Sequence, residues 1–139
     1  MKRYLLTAFG MLSLVGTLAA QEEFKTRLSP VPIDAQLAPT ITGHGAVAVF
    51  LTGSKLMVKG AFQDMHSPAT AANLYQSKMT GVRGVPIHDL MVTKATAGAV
   101  SGSIDLAPQE VEALRKGLLY VVVNSAGAPE GNLWGWLLK

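Results

Sequence analysis

Ala46-Val47-Ala48-Val49-Phe50-Leu51-Thr52-Gly53-Ser54-Lys55-Leu56-Met57-Val58-Lys59-Gly60-Ala61-Phe62, AVAVFLTGSKLMVKGAF, decides how this chain folds. In its second half Leu56, Val58, Gly60 and Phe62 alternate with Lys55, Met57 and Lys59. A strand turns successive side chains to opposite faces, so this period of two gives one apolar and one charged face. The first half is an apolar run, and Thr52-Gly53-Ser54 supplies turn residues between the two. The stretch reads as an antiparallel hairpin with one buried face.

Working outward, short apolar runs recur between turn residues. Phe24 to Leu28 is a first strand, ended by Ser29-Pro30-Val31-Pro32, where two prolines remove ladder donors. After the hairpin come Ala71 to Gln76, Ile87 to Lys94 and Ala99 to Leu106. The pattern then changes once. Ala107 to Gly117, APQEVEALRKG, has proline in the first turn, acids early, bases late and glycine after the end. That is the polarity of a short helix whose charges complement its dipole. Leu119 to Asn124 and Leu133 to Leu138 are two further strands around an Ala126-to-Gly131 connection. Roughly seven or eight strands at this spacing predict an all-β antiparallel sandwich or Greek-key barrel with one short helix.

The 139 residues bound a single domain. Met1-Lys2-Arg3 is basic, Tyr4 to Ala20 carries no charge, and Gln21-Glu22-Glu23 restores polarity. This is the layout of a secretory leader, so residues 1–20 are expected to be a signal peptide cut near Ala19 or Ala20, and 21–139 the folded domain. The expected location is the periplasm or outside the cell, with no membrane span left after cleavage. Of twelve Lys and Arg, two lie in the leader, leaving ten against nine acids. The ten are scattered and form no run, which argues against nucleic-acid binding. The chain has no cysteine, so an exported domain of this kind rests on its core rather than on disulfides.

The order of motifs resembles the CHRD domain, a module named for its repeats in chordin and also found singly in exported bacterial proteins. The similarity runs from Phe24 to Leu138. It includes Leu28 to Pro32, Gly43-His44-Gly45-Ala46, Ser67 to Ala72 and Gly81 to Pro86. It continues through Gly102 to Leu106, Leu114 to Gly117, Tyr120 to Val123 and Pro129-Glu130-Gly131-Asn132-Leu133-Trp134-Gly135. The resemblance implies a β-sandwich, of the copper/zinc superoxide dismutase or immunoglobulin kind, in an exported protein. It also implies a His-x-His pair after the small-residue strand and a further histidine ending the later Tyr-Val strand. Here those places hold Asn73 and Tyr75, and Asn124.

Asn73, Tyr75 and Asn124 are neutral donors that would hold zinc or copper poorly, so they are read as a polar cluster without metal. Beside them Lys78 and Arg83 sit in the Lys78-to-Arg83 loop, and these five are the candidate binding residues. No cofactor is expected. The alternative is a periplasmic copper- or zinc-binding or redox protein using His66 and His88 with Met65, since a thioether suits copper(I). No serine sits in a nucleophile-elbow pattern, and Asp64, His66 and Ser67 are adjacent in sequence only, so no enzyme is expected. Trp134 and Trp136 share one strand face and are expected to pack in the core, the other reading being a flat sugar- or protein-binding platform. The leading expectation is a non-enzymatic module that engages a protein partner in the cell envelope.

Overall fold

The computed structural model describes residues 21–32 and 41–139. The expected signal peptide lies outside the described residues. Eight strands and one helix follow in order: β1 (Glu22–Pro30), β2 (His44–Thr52), β3 (Lys55–Gln63), β4 (Ala69–Gln76), β5 (Val85–Val92), β6 (Gly98–Asp105), α1 (Pro108–Arg115), β7 (Leu119–Ser125) and β8 (Ala128–Trp136). All neighbours are antiparallel, and the sheet closes on itself in the order β1-β2-β3-β6-β5-β4-β7-β8. The expected sandwich or barrel is therefore an eight-stranded barrel.

The hairpin that decided the reading forms β2 and β3, paired from His44↔Gln63 to Thr52↔Lys55. Leu56, Val58 and Phe62 point into the core, while Lys55, Met57, Lys59 and Ala61 face out. The barrel has two weak seams. β5 meets β6 only at Met91↔Ser101 and Val92↔Val100, and β1 meets β8 only at Ser29↔Trp134 and Pro30↔Leu133, with an isolated bridge at Lys25↔Leu138. These seams divide the ring into two facing sheets, which gives it its sandwich-like character.

Strand directions alternate, so the barrel has two distinct ends. At one end α1 lies across the β2–β3 turn: Leu106 N–H donates to the Ser54 carbonyl, and Leu114 is fully buried in the same core as Leu51 and Leu56. The other end carries the β3–β4, β5–β6 and β7–β8 connections. The sequence reading placed a six-residue connection before β8. Instead Ser125 pairs with Ala128 across a two-residue turn, and β8 starts at Ala128. The register shift between Val123 and Ser125 and the left-handed backbone of Gly131 (φ 136°) let the Pro129-Glu130-Gly131 segment join the strand.

Candidate functional site

In β4 and β7 the inward positions are taken by small and aliphatic residues, Ala72 and Leu74 opposite Val123 and Val121. The intervening positions face outward. Register then sets two lateral rows on the outer surface, Tyr75–Tyr120–Trp136 and Asn73–Val122–Trp134. The four aromatic rings of these rows meet. Tyr120 lies 5.2 Å from Tyr75, 4.3 Å from Trp136 and 5.8 Å from Trp134, and the two indoles are 5.7 Å apart, nearly edge to face. Offset and edge-on pairs at these distances are favourable beyond their buried area.

This placement corrects the expectation for Trp134 and Trp136. They are half-buried on the outer surface, because Leu133 and Leu137 occupy the inward positions of that strand segment. The barrel interior is already filled by aliphatic side chains together with Phe24, Phe62 and Met65. Within the aromatic group the Trp136 indole N–H is buried without a hydrogen-bond partner among the described residues.

The loop after β4 closes one side of the aromatic face. Gly84 N–H donates to the Tyr120 hydroxyl at 2.7 Å. A Cβ at Gly84 would collide with the Gln76 carbonyl, so the close approach requires glycine. Ser77 is buried and exchanges hydrogen bonds with the backbone of Met79, and Thr80 donates its hydroxyl to the Gly117 carbonyl at 2.7 Å. The loop is thus pinned at three points. Between them it leaves Lys78, Thr80 and Arg83 exposed, together with Met79 at 65%, Val82 at 51% and, just beyond, Val85 at 64%. Three large apolar side chains that open to water lie next to three half-buried rings, Tyr75, Trp134 and Trp136, packed around the buried Tyr120.

Of the expected cluster, the structure keeps the face but not the contacts. Asn73, Tyr75 and Asn124 all project outward, yet each is bound elsewhere. Asn73 donates to the Asp89 carboxylate at 2.6 Å. Asn124, opposite Ala71 toward the far end, donates to the Pro129 carbonyl at 2.7 Å, and its side-chain oxygen is buried without a partner among the described residues. Tyr75 packs on Tyr120. Burial, and secondarily Tyr120, raises the Tyr75 phenol above 10.0 against the opposing pull of Arg83, so it is a neutral hydroxyl at ordinary pH. Two amides already engaged and a protonated phenol are a poor donor set for zinc or copper. Asp89 and the hub role of Tyr120 escaped the sequence reading. No periodicity signals it, since β7 is an unbroken apolar run from Leu119 to Val123 with every position buried; the register with Tyr75 and Trp136 assigns Tyr120 to the outer face.

The residues of the alternative reading are not brought together. His66 is exposed in the β3–β4 connection at the end away from the helix, and Met65 beside it is buried in the core. His88, on β5, points the other way, with Nε2 at 3.1 Å from both carboxylate oxygens of Glu110 on α1. His88 is registered with Leu74, five residues along β4 from Ala69, and at ~3.3 Å per residue that alone is about 16 Å. Among the described residues no three His, Asp or Glu side chains are grouped to hold an ion.

The architecture defines a small all-β domain, a closed antiparallel barrel with one end covered by a helix and an aromatic patch on its outer wall. Residues 24–137 match the CHRD domain, and the chain belongs to that family. No protein of curated function and no solved structure matches it. Among the described residues no helix is long and apolar enough to cross a membrane.

Proposed function

We propose that this chain is an exported, non-enzymatic binding or accessory module whose β4–β7–β8 outer face docks a protein partner in the cell envelope. The observation that carries the reading is the aromatic group of Tyr75, Tyr120, Trp134 and Trp136 bordered by exposed Met79, Val82 and Val85. Aromatic anchors in a half-desolvated patch with charges at the rim are the usual makeup of a protein-binding centre. Lys78 and Arg83 supply that rim. Tyr75 contributes an amphipathic ring at the open side of the group, and Asn73 with Asp89 offers a polar edge.

The test is a photo-crosslinking residue at Val82 in cells producing the full chain, with one at exposed Thr96 in the β5–β6 connection as control. A discrete adduct at Val82 alone is expected, reduced at least about fivefold by Tyr75→Ala. That variant should lower Tm by no more than about 4 °C, the shift that about 1 kcal/mol produces in a domain of this size. A larger drop would make Tyr75 a packing residue, and equal adducts at both positions would remove the face as a docking surface.

A further inference from the structure

On the wall opposite the aromatic patch, register assembles a feature invisible along the sequence. Lys25 pairs with Ala48, which pairs with Lys59, and Arg27 pairs with Ala46, which pairs with Ala61. All six side chains face outward, since their neighbours Phe24, Leu28, Val47, Val49, Val58 and Phe62 fill the core. The result is an open trough of about 690 Å³ with alanine methyls as its floor. Lys25 and Arg27 form one wall and Lys59 the other, two strand spacings or about 10 Å apart. Lys25 has Glu23 at 3.5 Å, while Arg27 and Lys59 have no acidic partner within 4 Å among the described residues.

We infer that this trough binds an acidic protein segment in extended conformation. Three features select that occupant. Lys25 and Arg27 are two residues apart on one strand, so their stems repeat at about 7 Å, the same-side repeat of an extended peptide carrying acids at alternate positions. The backbone groups of β2 are used in its ladders to β1 and β3, so the floor cannot add a strand and recognition rests on the charges. The lining has no aromatic ring, and its one hydroxyl, on Thr26, already donates to the Arg27 carbonyl, which leaves an acidic glycan without a stacking partner. The two unpaired cations would meet carboxylates, and the methyl floor would accept the small or apolar side chains between them. This site is separate from the proposed aromatic docking face, and either can fail without the other.

A fluorescein-labelled alternating Glu–Thr peptide titrated into the full chain tests it by fluorescence anisotropy, with amide chemical shifts to locate the contact. Saturable binding is expected, weakened more than tenfold between about 50 mM and about 500 mM NaCl, as screening of exposed charges requires. Ala46, Ala48 and Ala61 amides should move most. Arg27→Glu and Lys59→Glu should each weaken binding at least about tenfold, and Lys59→Gln by less, because charge reversal adds repulsion to the lost attraction. Lys94→Glu, exposed in the β5–β6 connection, should leave binding unchanged. Absence of binding at low salt, binding insensitive to Arg27→Glu, or shifts outside the trough would overturn the inference. So would binding of a sulfated oligosaccharide at these residues in place of the peptide.

Discussion

Asn132 has no exposed surface, yet both ends of its amide are engaged. Its oxygen accepts from the Ser125 hydroxyl at 2.8 Å, and its nitrogen donates to the Thr42 carbonyl at 2.8 Å. The Ser125 hydroxyl oxygen in turn accepts from Ala128 N–H, so one small network ties the β7–β8 turn to the chain just before β2. Asn132→Ala leaves a buried hydroxyl and a carbonyl with one partner fewer, and should cost about 2 kcal/mol in urea unfolding with an unchanged m-value. The sequence showed Asn132 only as part of a motif shared with the CHRD domain. It likewise grouped Asn73, Tyr75 and Asn124, which the fold places on one face but in three separate sets of contacts. Local alternation tells which way a side chain points. Its neighbours come from the next strand, and pairing between distant strands leaves no mark in a local pattern.

Among the elements, α1 was the most legible. Pro108 opens it, the Glu110 carboxylate accepts the Ala107 N–H at 2.9 Å, and Gly117 follows it in left-handed conformation (φ 73°), all as composition required. What the helix touches was not legible. Glu22 was read as marking the leader exit, but it begins β1 and receives a two-pronged ion pair from Arg115 at 2.9 and 3.2 Å. Arg115 holds the Glu22 carboxyl below 4.5, so this contact is present above that pH and lost as acid protonates it, and salt screens it. The strong attachment is apolar. Leu114 is fully buried under the barrel end, and Leu114→Ala should destabilise the domain by about 3 kcal/mol in a denaturant melt. Most strands stand nearly where the sequence places them, because runs such as β2, β3 and β7 carry their own apolar pattern. β8 was shortened in the reading, since Ala128 to Gly131 resembles a loop until β7 pairs with it.

At the scale of the whole molecule, the ring is held unevenly. β2 and β3 pair along their full length, whereas β5 and β6 share two residue pairs. Local opening follows the weakest pairing, so amides of β6 that face β5 should exchange with deuterium at least about tenfold faster than those between β2 and β3. Equal protection would mean that the ring opens only as one unit. The class of fold could be read from strand count and spacing. The order β3-β6-β5-β4 could not, because the chain leaves β3, skips two places and returns to fill them, a choice made by distant contacts.

One seam also sets when folding can finish. β1 is flanked by β2, which follows it in the chain, and by β8, the last strand. During vectorial synthesis every earlier strand can find a partner, but the nascent chain keeps an open edge on β1 until Ser29 and Pro30 meet Trp134 and Leu133. A bare edge is a template for pairing with other chains, and a contact joining opposite ends of the sequence is among the slowest to form. The domain therefore stays unclosed until its final strand is released.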